Sequence, residues 1–132
     1  MPLPPDLRII TVDDYNTMRR IIKNLLGQLG YKSVLEAEDG RAALDVLKHE
    51  KVDLIISDWS MPKMTGLDLL KAVRSDPDLK NTPFIMITAE GDRERIVAAV
   101  QAGVSNFIVK PFTAETLGDK ISKVFEKLQA TG

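Results

Sequence analysis

Five short apolar stretches alternate along this chain with longer segments in which apolar residues recur every three or four positions. A short continuous run such as residues 54–56 is typical of a strand buried in a parallel sheet. The spacing of Met18, Ile21, Ile22 and Leu25 is typical of one face of an amphipathic helix. The full pattern predicts strands at 8–12, 32–37, 54–56, 83–88 and 105–109, and helices from about 16, at 40–50, 66–75 and 92–102, and after a cap at Thr113.

The strict alternation of strands and helices predicts the fold class. It indicates a parallel sheet with helices on both faces, and right-handed crossovers leave few topologies for it. We expect an α/β, flavodoxin-like (βα)5 doubly wound sandwich with strand order 2-1-3-4-5. The 132 residues are expected to form a single domain, in which residues 1–6, three of them proline, are a loose leader.

Composition excludes several classes of function. The chain has 18 basic and 19 acidic residues and a net charge of −1, which does not indicate a nucleic-acid partner. It has no cysteine and one histidine, His49, so disulfides, thiolate metal sites and multi-histidine sites are excluded. No apolar run is long enough to span a membrane. We therefore expect a cytoplasmic monomer without membrane insertion.

Residues with complementary chemistry follow four of the predicted strands. Because the carboxyl ends of parallel strands meet at one edge of the sheet, this edge should collect Asp13, Asp14, Asp58, Thr88 and Lys110. Carboxylates held close together repel one another, which raises a pKa or recruits a cation. Oxygen ligands without histidine or cysteine favour Mg²⁺.

This set of residues predicts a site for phosphoryl transfer. Asp58 would attack as the nucleophile, while Lys110 stabilises charge on the transferring group and the hydroxyl of Thr88 donates to it. Each residue alone has a more ordinary interpretation: an aspartate as a helix cap, Thr88 as a turn residue, Lys110 as a solvated cation. Four strands that deliver the required chemistry to one edge outweigh these readings.

The same residues carry a family resemblance. From 8 to 128 the chain resembles the receiver domain of bacterial two-component response regulators. The resemblance implies that Asp58 accepts a phosphoryl group from a histidine kinase and that the protein catalyses only its own phosphorylation and dephosphorylation. The motifs that carry it are Val12-Asp13-Asp14, Ser57-Asp58, Met61-Pro62, Gly66, Thr88-Ala89 and Val109-Lys110-Pro111-Phe112.

The resemblance also implies the roles of the surrounding residues. Lys110 would contact the phosphoryl group, and the bond between Lys110 and Pro111 would be cis. Asp14 would be the more direct metal ligand of the two neighbouring aspartates. The implied ligands of Mg²⁺ are Asp13, Asp14, Asp58 and the backbone carbonyl of Ser60.

A conformational switch is the implied output. Thr88 would move toward the phosphoryl group, and Phe107 would turn into the vacated space. These movements would repack the surface of the fourth helix, fifth strand and fifth helix. Single-domain chemotaxis regulators of the family usually have tyrosine where this chain has Phe107 and asparagine where it has Ser60. Phe107 lacks the hydroxyl that some partner complexes use.

Resemblance to those regulators implies three partners: a chemotaxis-type histidine kinase, a flagellar motor switch protein and a phosphatase. Lys120, Lys123 and Lys127 share one face of the last helix. The ordinary interpretation of these three lysines is a helix face exposed to solvent. The functional interpretation is a docking surface for an acidic or amphipathic peptide.

Other functions remain open at this point. The chain could be a stand-alone receiver in a phosphorelay, a phosphate sink, or a binding module that needs no phosphorylation. A metal-dependent phosphohydrolase would have a second aspartate at the position of Ser60. A flavin-binding protein is rejected, because it would need a phosphate-cradling loop at the position where Asp13 and Asp14 would repel phosphate.

Overall fold

The computed structural model describes residues 6–89 and 92–131, with side chains as far as residue 127. Five strands alternate with five helices. The strands are β1 (Arg8–Val12), β2 (Ser33–Ala37), β3 (Leu54–Asp58), β4 (Phe84–Ala89) and β5 (Asn106–Lys110). The helices are α1 (Asn16–Gln28), α2 (Gly40–His49), α3 (Gly66–Ser75), α4 (Arg93–Gln101) and α5 (Ala114–Thr131).

The strands form one parallel sheet in the order β2-β1-β3-β4-β5, which confirms the predicted doubly wound topology. Small differences lie at the strand boundaries. β3 continues beyond the apolar run so that Asp58 is its last residue, and β4 and β5 each begin and end one residue later than predicted. The ladders of β3 and β5 extend into polar residues at the strand end, whereas β4 ends at Ala89.

The apolar runs are continuous because helices cover both faces of the sheet. On one face, residues such as Ile56 and Ile87 pack with Ile22 of α1 and Leu117 of α5. On the other face, residues such as Phe84 pack with α2 and α3. Every residue of β3 is buried. The sheet is therefore a rigid platform whose carboxyl edge positions polar groups.

Two parts of the apolar pattern do not face the core. Ile21, which we placed on the apolar face of α1, is 46% exposed. In α4, Val97 and Val100 are also exposed, and Ala99 is the buried residue of that helix. Residues 1–5 of the predicted leader and the side chain of Leu128 lie outside the part of the chain that the structure describes. None of the described helices is long and apolar enough to cross a membrane.

Candidate functional site

The sheet register brings the predicted polar residues together at its carboxyl edge. In β3, Asp58 pairs with Ile87, so Thr88 of β4 lies one residue beyond it. Lys110 ends β5 opposite Ala89, and Asp13 directly follows β1. The strand ends therefore deliver their side chains to one place, as the topology predicts.

Asp58 is held between a cation and a backbone amide. One carboxylate oxygen, Oδ1, lies 2.7 Å from the ammonium Nζ of Lys110. The other, Oδ2, accepts a hydrogen bond of 3.2 Å from the backbone N–H of Ser60. Asp58 is only 4% exposed. A buried carboxylate with these partners is fixed in orientation and is chemically suited to attack an electrophilic phosphorus atom.

Asp13 is fully buried, and only one of its two carboxylate oxygens accepts a hydrogen bond from the described residues. Its Oδ1 accepts a hydrogen bond of 2.9 Å from the backbone N–H of Tyr15, whereas its Oδ2 is buried without a hydrogen-bond partner among the described residues. Burial, with smaller contributions from the charges of Asp58 and Asp14, raises the pKa of Asp13 to about 6. A buried, unpaired carboxylate oxygen is costly unless a cation or proton satisfies it.

The three aspartates form a cluster suited to a hard cation. Asp13, Asp14 and Asp58 each place a carboxylate oxygen within 4.8 Å of the others, and Asp14 is the exposed member. The donor set consists of oxygens alone, which Mg²⁺ prefers. Because Asp13 Oδ2 is buried and has no hydrogen-bond partner in the part of the chain that the structure describes, the residues present fit a bound Mg²⁺.

Thr88 supplies a second unsatisfied polar atom. It is 2% exposed, and its hydroxyl Oγ1 has no hydrogen-bond partner among the described residues. A hydroxyl can donate to a phosphoryl oxygen as readily as to water. Thr88 is therefore in position to respond to a new anionic group on the neighbouring strand.

Phe107 and Lys120 make a contact that sequence analysis missed. Phe107 is half-buried, and the Nζ of Lys120 lies 5.2 Å from the centroid of its ring. This is the geometry of a cation–π interaction between β5 and α5. The three lysines of α5 consequently differ in their surroundings: Lys120 covers Phe107, while Lys123 is exposed and pairs with Asp119 at 3.1 Å.

Arginine side chains around the site also hold contacts that the sequence did not indicate. Arg19 of α1 donates to the backbone carbonyl of Asp13 and pairs with Glu36 at 3.2 Å. Arg95 of α4 donates to the hydroxyl of Ser60 at 3.1 Å. The contacts of Arg19 with Glu36 and of Arg95 with Ser60 connect residues far apart in the chain, so no local spacing reveals them.

The loop after β3 explains why a glycine stands at 66. Gly66 donates its N–H to the carbonyl of Trp59 at 2.8 Å. A Cβ atom on Gly66 would collide with the carbonyl oxygen of Asp58 and lie 2.8 Å from Sδ of Met86. Only glycine lets α3 begin this close to the strand end. The bond between Lys110 and Pro111 is cis, the isomer that the family resemblance implies.

A doubly wound parallel sheet with an acidic cluster, a threonine and a lysine at its carboxyl edge defines the class of receiver domains. The response regulator receiver domain family matches residues 9–122, and the chain belongs to this family. Members are signalling regulators that are activated by phosphorylation, and an acidic cluster of this kind is their general Mg²⁺ site. This assignment does not favour the phosphohydrolase or flavin-binding alternatives.

Comparison with individual proteins is more specific. The chain is 53% identical to the chemotaxis protein CheY-3 of Vibrio cholerae over 126 residues, 96% of this chain and 97% of that protein. It is 52% identical to the chemotaxis protein CheY of Pseudomonas aeruginosa over 122 residues, 92% of this chain and 98% of that protein. The structure of chemotaxis response regulator CheY4 of Vibrio cholerae matches with a TM-score of 0.83 and 37% identity, over 90% of this chain and 98% of that one.

Proposed function

We propose that this protein is a single-domain chemotaxis response regulator whose phosphoryl acceptor is Asp58. The observation that carries the proposal is the buried Asp58 carboxylate, 2.7 Å from the Lys110 ammonium and clustered with Asp13, whose buried Oδ2 has no hydrogen-bond partner among the described residues. Curated relatives more than half identical over nearly the whole chain are named chemotaxis proteins. Their names support a role in chemotaxis, and we propose flagellar motor control as its output.

Each residue of the site has a distinct task in phosphoryl transfer. Mg²⁺, held by Asp13, Asp14, Asp58 and the carbonyl of Ser60, would supply positive charge that stabilises the transferring group. An oxygen of Asp58 attacks the phosphorus atom of a phosphohistidine on a histidine kinase, and the histidine nitrogen leaves. Lys110 then contacts a phosphoryl oxygen. The protein catalyses only this step and the later loss of its own phosphoryl group.

The phosphoryl group on Asp58 carries a charge of about −1.5 to −2 and has three strong acceptor oxygens. The unpaired hydroxyl of Thr88 donates to one of these oxygens. Phe107 turns inward into the space that Thr88 vacates, which breaks the contact with Lys120. The surface of α4, β5 and α5 thereby changes shape and charge.

That surface recognises the downstream partner. We propose a flagellar motor switch protein as the partner, with Lys120, Lys123 and Lys127 as the basic docking face, and a phosphatase that resets the switch. Because Phe107 has no hydroxyl, recognition depends on its ring position rather than on a hydrogen bond. We also propose that the protein acts as a monomer in the cytoplasm, with a chemotaxis-type histidine kinase.

Binding to the motor switch protein of the source bacterium tests this function. Affinity is measured by titration with and without Mg²⁺ and acetyl phosphate, for wild type and for Asp58→Asn. We expect binding to tighten at least about tenfold, or about 1.4 kcal/mol, on phosphorylation of wild type alone. A phosphorylated wild type that binds no more tightly would instead favour a phosphorelay or a phosphate sink.

A further inference from the structure

Three different groups hold the side chain of Arg95. Its Nε lies 3.1 Å from Oδ2 of Asp92, and its Nη1 donates to Oγ of Ser60 at 3.1 Å. Its guanidinium carbon lies 5.3 Å from the centroid of the Trp59 ring. A long side chain from α4 is thus fixed against the loop that follows Asp58. Such pre-orientation removes most of the entropy cost of placing a cation.

Arg95 keeps donors available for a ligand. A guanidinium has five N–H groups, and these contacts with described residues use one on Nε and one on Nη1. The remaining groups retain the fork geometry that pairs with carboxylates and phosphates. Arg95 is therefore able to bind an anion without losing the ties that hold it.

An open cleft lies beside this guanidinium. Its volume is about 400 Å³, and Arg95, Asp14, Tyr15, Trp59 and Ser60 are among the residues that line it. Tyr15 is 68% exposed, so the cleft is reached from solvent. Its lining includes Ser60, whose backbone N–H contacts Asp58. Arg95 is the basic residue among those that line the cleft.

We propose that Arg95 determines phosphodonor specificity by binding the anionic leaving group of small acyl phosphates in this cleft. This inference rests on the proposed phosphorylation of Asp58. With acetyl phosphate, a carboxylate oxygen of Asp58 forms a bond to phosphorus while the bond from phosphorus to the acetyl oxygen breaks. The electron pair of that bond leaves on acetate. Arg95 pairs with the carboxylate of the leaving acetate as negative charge develops on it. A donor with a neutral leaving group gains nothing from this cation.

Two donors and three variants test the assignment. Acetyl phosphate releases acetate, whereas phosphoramidate releases ammonia. Initial rates with each donor are read as intact-protein mass, for wild type, Arg95→Gln, Arg95→Lys and the control Arg93→Gln. Arg93 is an exposed arginine of the same helix turn, so its variant makes the same charge change away from the cleft.

We expect Arg95→Gln to slow phosphorylation by acetyl phosphate about tenfold and by phosphoramidate less than about twofold. Arg95→Lys should recover part of the rate, and Arg93→Gln should change neither rate by more than about twofold. The rate with acetyl phosphate should also depend less on salt in Arg95→Gln than in wild type.

Equal losses with both donors would assign Arg95 a structural role and overturn the inference. So would an unchanged rate in Arg95→Gln. These failures differ from failure of the proposed function, in which wild type gains no phosphoryl group from either donor.

Discussion

The two edges of the β-sheet treat buried polar groups in opposite ways. At the amino edge, the half-buried guanidinium of Arg74 donates to the carbonyls of Gly103 at 2.8 Å, Lys80 at 3.1 Å and Thr82 at 2.6 Å. It also reaches the hydroxyl of Ser105. Burial lowers the pKa of Arg74, yet the segments that enter β4 and β5 satisfy it as a cation.

At the carboxyl edge, Asp13 Oδ2 and Thr88 Oγ1 are buried without partners among the described residues. A third such atom, Thr11 Oγ1, lies within β1. Buried polar groups without partners lower stability. The amino edge is therefore built to stabilise the fold. The other keeps unpaired groups for the cation and the phosphoryl group that we propose, which makes the free protein less stable.

Removal of Arg74 should have the largest effect on stability. Arg74→Met leaves several carbonyl oxygens without a donor, and we expect it to lower the free energy of unfolding by about 3 kcal/mol. Urea denaturation measures the loss. The control is Arg20→Met on the exposed face of α1, which should change stability by less than about 0.5 kcal/mol. Equal effects of the two variants would contradict a structural role for the amino edge.

Asp13→Asn, unlike Arg74→Met, should raise the stability of the metal-free protein, by about 2 kcal/mol at pH 7. The pKa of Asp13 rises from an ordinary value of 3.8 to about 6 in the folded protein. Because the folded protein binds this proton more tightly than the unfolded chain does, protonated Asp13 favours folding. This contribution to the free energy of unfolding is complete below pH 3.8 and is lost as the pH rises through about 6. Wild type should therefore lose about 3 kcal/mol over this interval that Asp13→Asn does not lose.

Urea denaturation of both proteins between pH 4 and 7 measures this difference. Asp14→Asn is the matched control, because Asp14 is exposed and its charge makes the smallest contribution to the raised pKa of Asp13. In the same series, Mg²⁺ should stabilise wild type at pH 7 and have little effect on Asp13→Asn. A variant no more stable than wild type would mean that Asp13 Oδ2 is not a cost to the free protein.

Thr88→Val should have the smallest effect on stability and a selective effect on signalling. The substitution removes a buried unpaired hydroxyl at nearly constant volume, so we expect a gain of up to about 1 kcal/mol. Thr11→Val removes a similar hydroxyl outside the site and serves as the control. On phosphorylation, the NMR signals of the Phe107 ring should shift in Thr11→Val and not in Thr88→Val. If the Phe107 signals shift in both variants, Thr88 is not required for the movement of Phe107.

The fold and the chemistry of the site were predictable because both follow from the sheet. Parallel strands buried on both faces need continuous apolar runs, and their carboxyl ends necessarily share an edge. Once the order of strands follows from right-handed crossovers, Asp13, Asp58, Thr88 and Lys110 must converge. The ends of β3 and β5 differed by a residue or two because their hydrogen-bonded ladders extend into polar residues, Asp58 and Lys110, that the apolar pattern leaves out.

Contacts made by long side chains were not predictable. The reach of Arg74 to Gly103, of Arg95 to Trp59 and of Lys120 to Phe107 depends on rotamers and on helix orientation. The spacing of residues along one helix determines neither the rotamers of its side chains nor the orientation of the helix. Ile21 failed as a core residue for a related reason: the apolar arc of α1 is wider than the face that the sheet covers.

Phosphorylation of Asp58 is tested by the intact mass of the purified protein after incubation with acetyl phosphate and Mg²⁺. We predict one added phosphoryl group on wild type, none when Mg²⁺ is chelated, and none on Asp58→Asn. An unmodified wild type, or a modified Asp58→Asn, would contradict the assignment of Asp58 as the phosphoryl acceptor.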